Sequence, residues 1–157
     1  MKSIMDIGTS TQLCAVIGNP VEHSLSPAIH NRAFQELGLD FVYLAFRVED
    51  AKSVAMGMRA LENFRGLSVT IPHKVAIIEH LDEIAEVDRQ IGSVNTVVNE
   101  NGKLIGSGSD GPGARMALID SLLKPFTNNW ENSLVRVFSI MKLRDCTTEC
   151  IPVVILC

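Results

Sequence analysis

At 157 residues the chain is long enough for one domain with a proper core and too short for two full ones. Hydrophobic residues make up 46% and charged residues 20%, the balance of an ordinary globular protein rather than a disordered or fibrous one. A formal net charge of -4 supplies no basic stripe for a phosphate backbone, so the composition argues against nucleic-acid binding and for a small-molecule partner.

The predicted elements alternate between strand and helix from the start. Leu13 to Ile17 reads as a buried strand stopped by Gly18-Asn19-Pro20. A helix is expected next, with Ser26 as N-cap, Pro27 at the first helical position, Ile29, Ala33, Phe34 and Leu37 on one face, and Gly38 ending it. Phe41 to Val48 forms a second strand, and Asp50 caps a second helix whose Ala51, Val54, Ala55, Met58 and Leu61 repeat at helical spacing. Gly66 to Thr70 is a short third strand ended by Ile71-Pro72, which opens a helix through His73 to Leu81; Asp82 then caps a helix running towards Gln90. Val94 to Val98 and Lys103 to Ile105 read as strands joined by a turn containing Asn101-Gly102, a strong hairpin signal. Gly106 to Gly113 is a glycine-rich loop, and a helix starts from Pro112. The pattern predicts an α/β fold, a three-layer αβα domain with a mostly parallel sheet and one antiparallel hairpin, over residues 1–124. Residues 125–157 show no repeat, no linker and no glycine-rich turn, and read as a divergent tail.

Several residues could carry chemistry, and each has a plainer reading beside it. Ser24 and Ser26 ahead of a helix suit an anion site, because free N–H groups and the helix dipole favour a carboxylate there; capping and solvent exposure are the alternative. Lys74 sits where ligands bind in open α/β sheets, just inside a predicted helix whose positive end disfavours its charged form, or is a surface lysine. Asp110 lies in a loop whose glycines let a side chain approach a ligand, or bonds only its own turn. Asn95 is an amide within an apolar strand that must find partners in the protein or in a ligand's hydroxyls.

His23, His30, His73 and His80 are dispersed without a metal-ligand spacing, and no metal is expected. Cys14, Cys146, Cys150 and Cys157 are irregularly placed and read as reduced, unligated thiols. Gly106-x-Gly108 with Gly111 lacks the long preceding strand and the following acidic residue of a dinucleotide fingerprint. With neither an apolar leader after Met1-Lys2 nor a run of about 18 apolar residues, the sequence points away from a membrane and to the cytoplasm.

Taken in order, five blocks from about residue 13 to residue 120 resemble the shikimate dehydrogenase family. They are Val16-Ile17-Gly18-Asn19-Pro20 with Ser24-Leu25-Ser26-Pro27-Ala28-Ile29-His30-Asn31, Gly66 to Lys74, Ile91 to Val97, Gly106 to Asp110, and Gly111 to Ala114. The resemblance implies the α/β domain that holds shikimate or 3-dehydroshikimate at an edge facing a second, Rossmann-type domain that holds NADP. It assigns Ser24 and Ser26 to the substrate carboxylate, Thr70 and Asn95 to polar substrate contacts, and Lys74 with Asp110 to the catalytic pair. Lys74 would manage the proton of the reacting hydroxyl, with Asp110 orienting it and the substrate, so that both also count among the substrate-binding residues.

Three departures are visible. Gly108-Ser109-Asp110-Gly111 stands where the family most often has Asn-Thr-Asp-Gly, which removes an amide at Gly108. Asn128 to Cys157 matches neither the strand nor the glycine-rich cofactor loop that should follow, so the NADP domain is expected to be missing, as in a truncated dehydrogenase. The family's pocket-closing C-terminal residues are likewise expected to be missing. Rival expectations are a shikimate- or quinate-binding module without turnover, and an interaction protein that self-associates through an exposed apolar face.

Overall fold

The computed structural model describes residues 7–114 and 116. The chain divides into two compact units at Gly111/Pro112, and the fold and site below lie in the first. The predicted tail, 125–157, falls outside the described residues.

Strand β1 (Gln12–Gly18) carries the predicted 13–17 run at its centre, with Cys14 to Ile17 almost wholly buried. Helix α1 (Ser26–Leu37) ends at Gly38, whose φ of 65° is the left-handed cap that glycine adopts without a Cβ penalty. Its start differs from expectation by one residue. Leu25 occupies the N-cap position without a side-chain bond, and Ser26 is the first helical residue. The loop supplies its own acceptor instead: Ser24 Oγ takes the Ser26 N–H at 3.3 Å. Strand β2 (Phe41–Arg47) and helix α2 (Ala51–Ala60) follow as read, and Asp50 caps α2 by accepting the N–H groups of Lys52 and Ser53.

Strand β3 (Phe64–Val69) starts two residues earlier than predicted, because Phe64 is already in register with Leu13 of β1. The next stretch corrects the sequence reading. In place of an α-helix from His73 to Leu81 come turns over 71–75 and a five-residue 3₁₀ helix, Ala76–His80. The cause is tertiary: the Lys74 carbonyl accepts from Val94 N at 3.0 Å, and the chain must be back at the sheet by Asp82, whose N–H donates to Leu104 O. Asp82 does not cap a helix either. Its carboxylate accepts from Arg59 Nη1 at 2.6 Å and Leu104 N at 2.7 Å, and the two-residue strand β4 (Glu83–Ile84) intervenes before helix α3 (Glu86–Ile91).

Strands β5 (Thr96–Glu100) and β6 (Lys103–Ser107) form the expected hairpin. Its two-residue turn places Asn101 at φ 55° and Gly102 at φ 89°, the pair of positive angles that makes Asn-Gly favourable there. Backbone from Asp110 is helical, two residues ahead of the predicted start at Pro112.

The six strands lie in the order β2-β1-β3-β5-β6-β4. Three of the five pairings are parallel, and β5 alone runs against the rest. Successive strand residues point to opposite faces, and the two faces are covered separately. Cys14, Tyr43 and Ser68 face α1, where His30 stacks on Tyr43 at 4.3 Å between ring centroids and the Tyr43 hydroxyl meets Ser68 Oγ at 2.6 Å. Ala15, Ile17, Leu67, Val69 and Val97 pack with Ala51, Ala55 and Met58 of α2 and with Ile77 of the 3₁₀ helix. Asn31 of α1 both donates to Tyr43 O and accepts from Tyr43 N, filling ladder groups on the outer edge of β2. Cys14 is a free, buried thiol whose pKa burial pushes up to about 12, so it is a packing residue rather than a nucleophile.

Candidate functional site

Parallel order brings the candidate residues together without sequence proximity. The C-terminal ends of β1, β3 and β6 and the N-terminal start of the reversed strand β5 all lie on one edge of the sheet. Ser24 and Ser26 follow β1, Thr70 and Lys74 follow β3, Asn95 precedes β5, and Asp110 follows β6. This is the edge at which open α/β sheets bind ligands.

The loops are tied to one another there. Thr70 N donates to Ile17 O at 2.9 Å, Asn19 N to Ile71 O at 3.0 Å, Val69 N to Asn95 O at 2.8 Å, and Asn95 N to Ser107 O at 3.2 Å. Gly18 is needed for this closeness: a Cβ on it would lie 2.6 Å from the Thr70 methyl carbon and 3.2 Å from the Pro20 carbonyl oxygen. The Thr70 methyl therefore packs on β1.

Lys74 and Asp110 form an ion pair. Lys74 Nζ donates to Asp110 Oδ2 at 2.6 Å, with the lysine side chain a quarter exposed and the carboxylate more than half exposed. Lys74 lies in the turns ahead of the 3₁₀ helix, so no α-helix dipole acts on it as the sequence reading supposed; its electrostatic partner is Asp110. Asn95, 1% exposed, holds the other side of the pair. Its Nδ2 donates to Asp110 Oδ1 at 2.6 Å and to Ser109 Oγ at 2.9 Å, and its Oδ1 accepts from Ser109 N at 3.0 Å and Thr96 Oγ1 at 3.0 Å. One buried amide thus fixes the loop that carries Asp110. The sequence left Asn95 open between structural and ligand bonding, and these bonds are structural. Ser109 and Thr96, its partners, were not singled out as site residues, although the polar Ser93, Asn95 and Thr96 around Val94 at the opening of an apolar strand were a usable signal.

The hydrogen bond from Lys74 holds the Asp110 carboxyl below its ordinary value of 3.8, the Asn95 amide adding to the effect and partial burial opposing it. A carboxyl depressed in the folded state stabilises the fold above its unfolded value, and that contribution is lost as pH falls through the depressed value. Unfolding free energy followed from pH 6 downward should therefore drop more steeply below about 3.8 in the native chain than in Asp110→Asn. Parallel curves would show that the pair contributes nothing to folding.

His73 is buried with Nε2 3.0 Å from Val48 O, a tie between the loops after β2 and β3. Among the described residues no group of three His, Cys, Asp or Glu side chains is placed to hold a metal ion. Gly106 within β6 and Gly108 just after it do not make a phosphate cradle: a Cβ on Gly106 would meet Leu81 and Val94, and one on Gly108 would meet Asp88, so both glycines are packed against protein.

Fold and site together define an α/β substrate domain with a lysine–aspartate pair at the carboxyl edge of its sheet. The chain belongs to the family described as the shikimate dehydrogenase substrate binding domain, whose model matches residues 16–97. It is 52% identical over 112 residues to a shikimate dehydrogenase (NADP(+)) of Methanococcus maripaludis, covering 70% of this chain and 40% of that protein. It is 56% identical over 109 residues to the enzyme of the same name from Bacillus mycoides, covering 68% and 39%. Among solved structures, shikimate 5-dehydrogenase from Listeria monocytogenes, in complex with shikimate and NAD, superposes with a TM-score of 0.70 at 45% identity, covering 77% of this chain and 42% of that one. The chain therefore spans about 40% of the length of the curated relatives it matches.

Proposed function

We propose that this chain is the substrate-binding and proton-transferring part of an NADP-dependent shikimate dehydrogenase, an oxidoreductase that interconverts 3-dehydroshikimate and shikimate. The observation that carries the reading is the Lys74–Asp110 contact, clamped by Asn95 at the sheet edge where Ser24, Ser26 and Thr70 also converge. The hydroxyls of Ser26 and Thr70 make no hydrogen bond to the described residues, and Ser24 Oγ accepts only one, so all three have capacity for a ligand. Ser24 and Ser26, at the positive end of the twelve-residue helix α1, take the substrate carboxylate. Thr70 and the Asn95 region take ring hydroxyls. Lys74 in its neutral amine form accepts the proton leaving the reacting hydroxyl and, as the ammonium, returns it in the reverse direction, while Asp110 fixes the lysine's position. NADP belongs to the rest of the reaction as the relatives' names give it, and no step here is assigned to it. We place the protein in the cytoplasm; no helix among the described residues is long and apolar enough to cross a membrane.

Shikimate titrated into the purified chain should raise its unfolding temperature, since a ligand that binds only the folded state stabilises by about 2.7 kcal/mol at a hundred times Kd. Lys74→Ala, or Ser24→Ala with Ser26→Ala, should shrink the shift. A native chain unmoved by millimolar shikimate would end this reading.

A further inference from the structure

We propose that Asp88 is a positioning residue for the loop that carries Ser109 and Asp110, and that it acts by occupying the space a side chain at position 108 would need. Asp88 lies on α3, twenty residues before Gly108, and is 4% exposed. A Cβ built on Gly108 would stand 2.6 Å from Asp88 Oδ1, 3.3 Å from its Cγ and 3.3 Å from Ser93 O. Carbon and oxygen do not approach that closely without a bond, so no residue but glycine fits beside this carboxylate as it stands. Backbone conformation is not the reason. Gly108 lies outside the left-handed region that Gly38, Gly92 and Gly102 occupy, and its φ would suit any residue.

The two positions are thus complementary, a side chain from α3 filling the place of a side chain from the loop. What they support is short. From Gly108 the chain passes in one step to Ser109, whose N–H and Oγ are both bonded to Asn95, and in two to Asp110, bonded to Asn95 and Lys74. A shift of the loop at Gly108 would be transmitted to those bonds. The inference deepens the proposed reading of the site, but it rests on the Asp110 geometry and not on the identity of the ligand.

The test reads the loop directly. The side-chain amide of Asn95 donates to Ser109 and Asp110, so its two N–H signals in a nitrogen-15 correlation spectrum report their positions without any ligand. Gly108→Asn should displace or broaden both signals and cut the shikimate-induced thermal shift by at least half. Adding Asp88→Ala to Gly108→Asn should return both towards native values. Asp88→Asn, which keeps the shape, should leave the Asn95 signals in place. Should Gly108→Asn not fold, Gly108→Ala introduces the same Cβ, and the same rescue by Asp88→Ala is expected. Unmoved Asn95 signals in Gly108→Asn, or a double variant no better than the single one, would overturn the proposal. If the native chain bound no shikimate while the Asn95 signals behaved as stated, the substrate reading would fail and this one would stand.

Discussion

Leu67→Ala should lower the free energy of unfolding by about 2–5 kcal/mol, the range for deleting a buried leucine side chain where the surroundings cannot collapse. Leu67 is fully buried in the middle of β3, opposite Ala15 of β1 on one side and Val97 of β5 on the other, and belongs to the cluster under α2. Small neighbours such as Ala15, Ala51 and Ala55 offer no side-chain length with which to fill the hole. Against a typical total of roughly 5–15 kcal/mol for a domain, this is a large fraction. Urea melts followed by circular dichroism should show a lower midpoint at unchanged slope. Leu25→Ala, at a side chain 72% exposed, serves as the control and should change stability by no more than about 0.5 kcal/mol. Equal effects at the two positions would mean that the sheet core is not where the stability lies. Because β3 leads straight into Thr70 and Lys74, its loss also unseats the site.

Much of this architecture could be read from local chemistry alone. Gly38 and Asp50 marked a helix end and a helix start because each acts within a few residues of itself, through a left-handed cap and a side-chain acceptor. Asn101-Gly102 marked the hairpin for the same reason. The segment from Ile71 to Ile91 resisted, because its backbone and side chains are bound by partners far along the chain: Lys74 O to Val94 N, Asp82 to Arg59 and Leu104, His73 to Val48. Pro72 and Asp82 are local helix-start signals, but tertiary hydrogen bonds outweigh such weak preferences over so short a run.

The site divides in the same way. Lys74, Asp110 and Asn95 stood out in the sequence by residue type and by family resemblance, and the structure joins all three. Asp88 could not be found so. Its significance lies in being packed against a glycine twenty positions away, and no local signal marks a pair of that kind. The absent amide at Gly108 was legible as a loss; the group that fills its place was legible only in three dimensions.

Asn95→Leu should have the largest effect on the site itself. Leucine matches asparagine in branching and heavy-atom count but removes an acceptor used by Ser109 N and Thr96 Oγ1 and a donor used by Asp110 Oδ1 and Ser109 Oγ. Ser109 and Asp110 are exposed enough to turn to water, so the stability cost should stay near the 1–3 kcal/mol of an unpaired buried group rather than rise to the sum of the lost bonds. Ligand binding should suffer more. With Asn95 gone, Asp110 is held by Lys74 alone, its carboxyl moves up towards 3.8, and the loop from Gly108 loses its anchor. On the proposed reading of the site, the affinity for shikimate should fall tenfold or more, about 1.4 kcal/mol or above, measured by calorimetry on a variant still folded at the assay temperature. Asn95→Asp separates the contributions, since it keeps the acceptor for Ser109 N but sets a second carboxylate against Asp110 Oδ1. If Asn95→Leu bound as tightly as the native chain while Asn95→Asp did not, repulsion would explain the aspartate variant and the amide would be no part of the site's preorganisation. Weakened binding in both is the result expected of a residue whose task is to hold Asp110 where Lys74 can reach it.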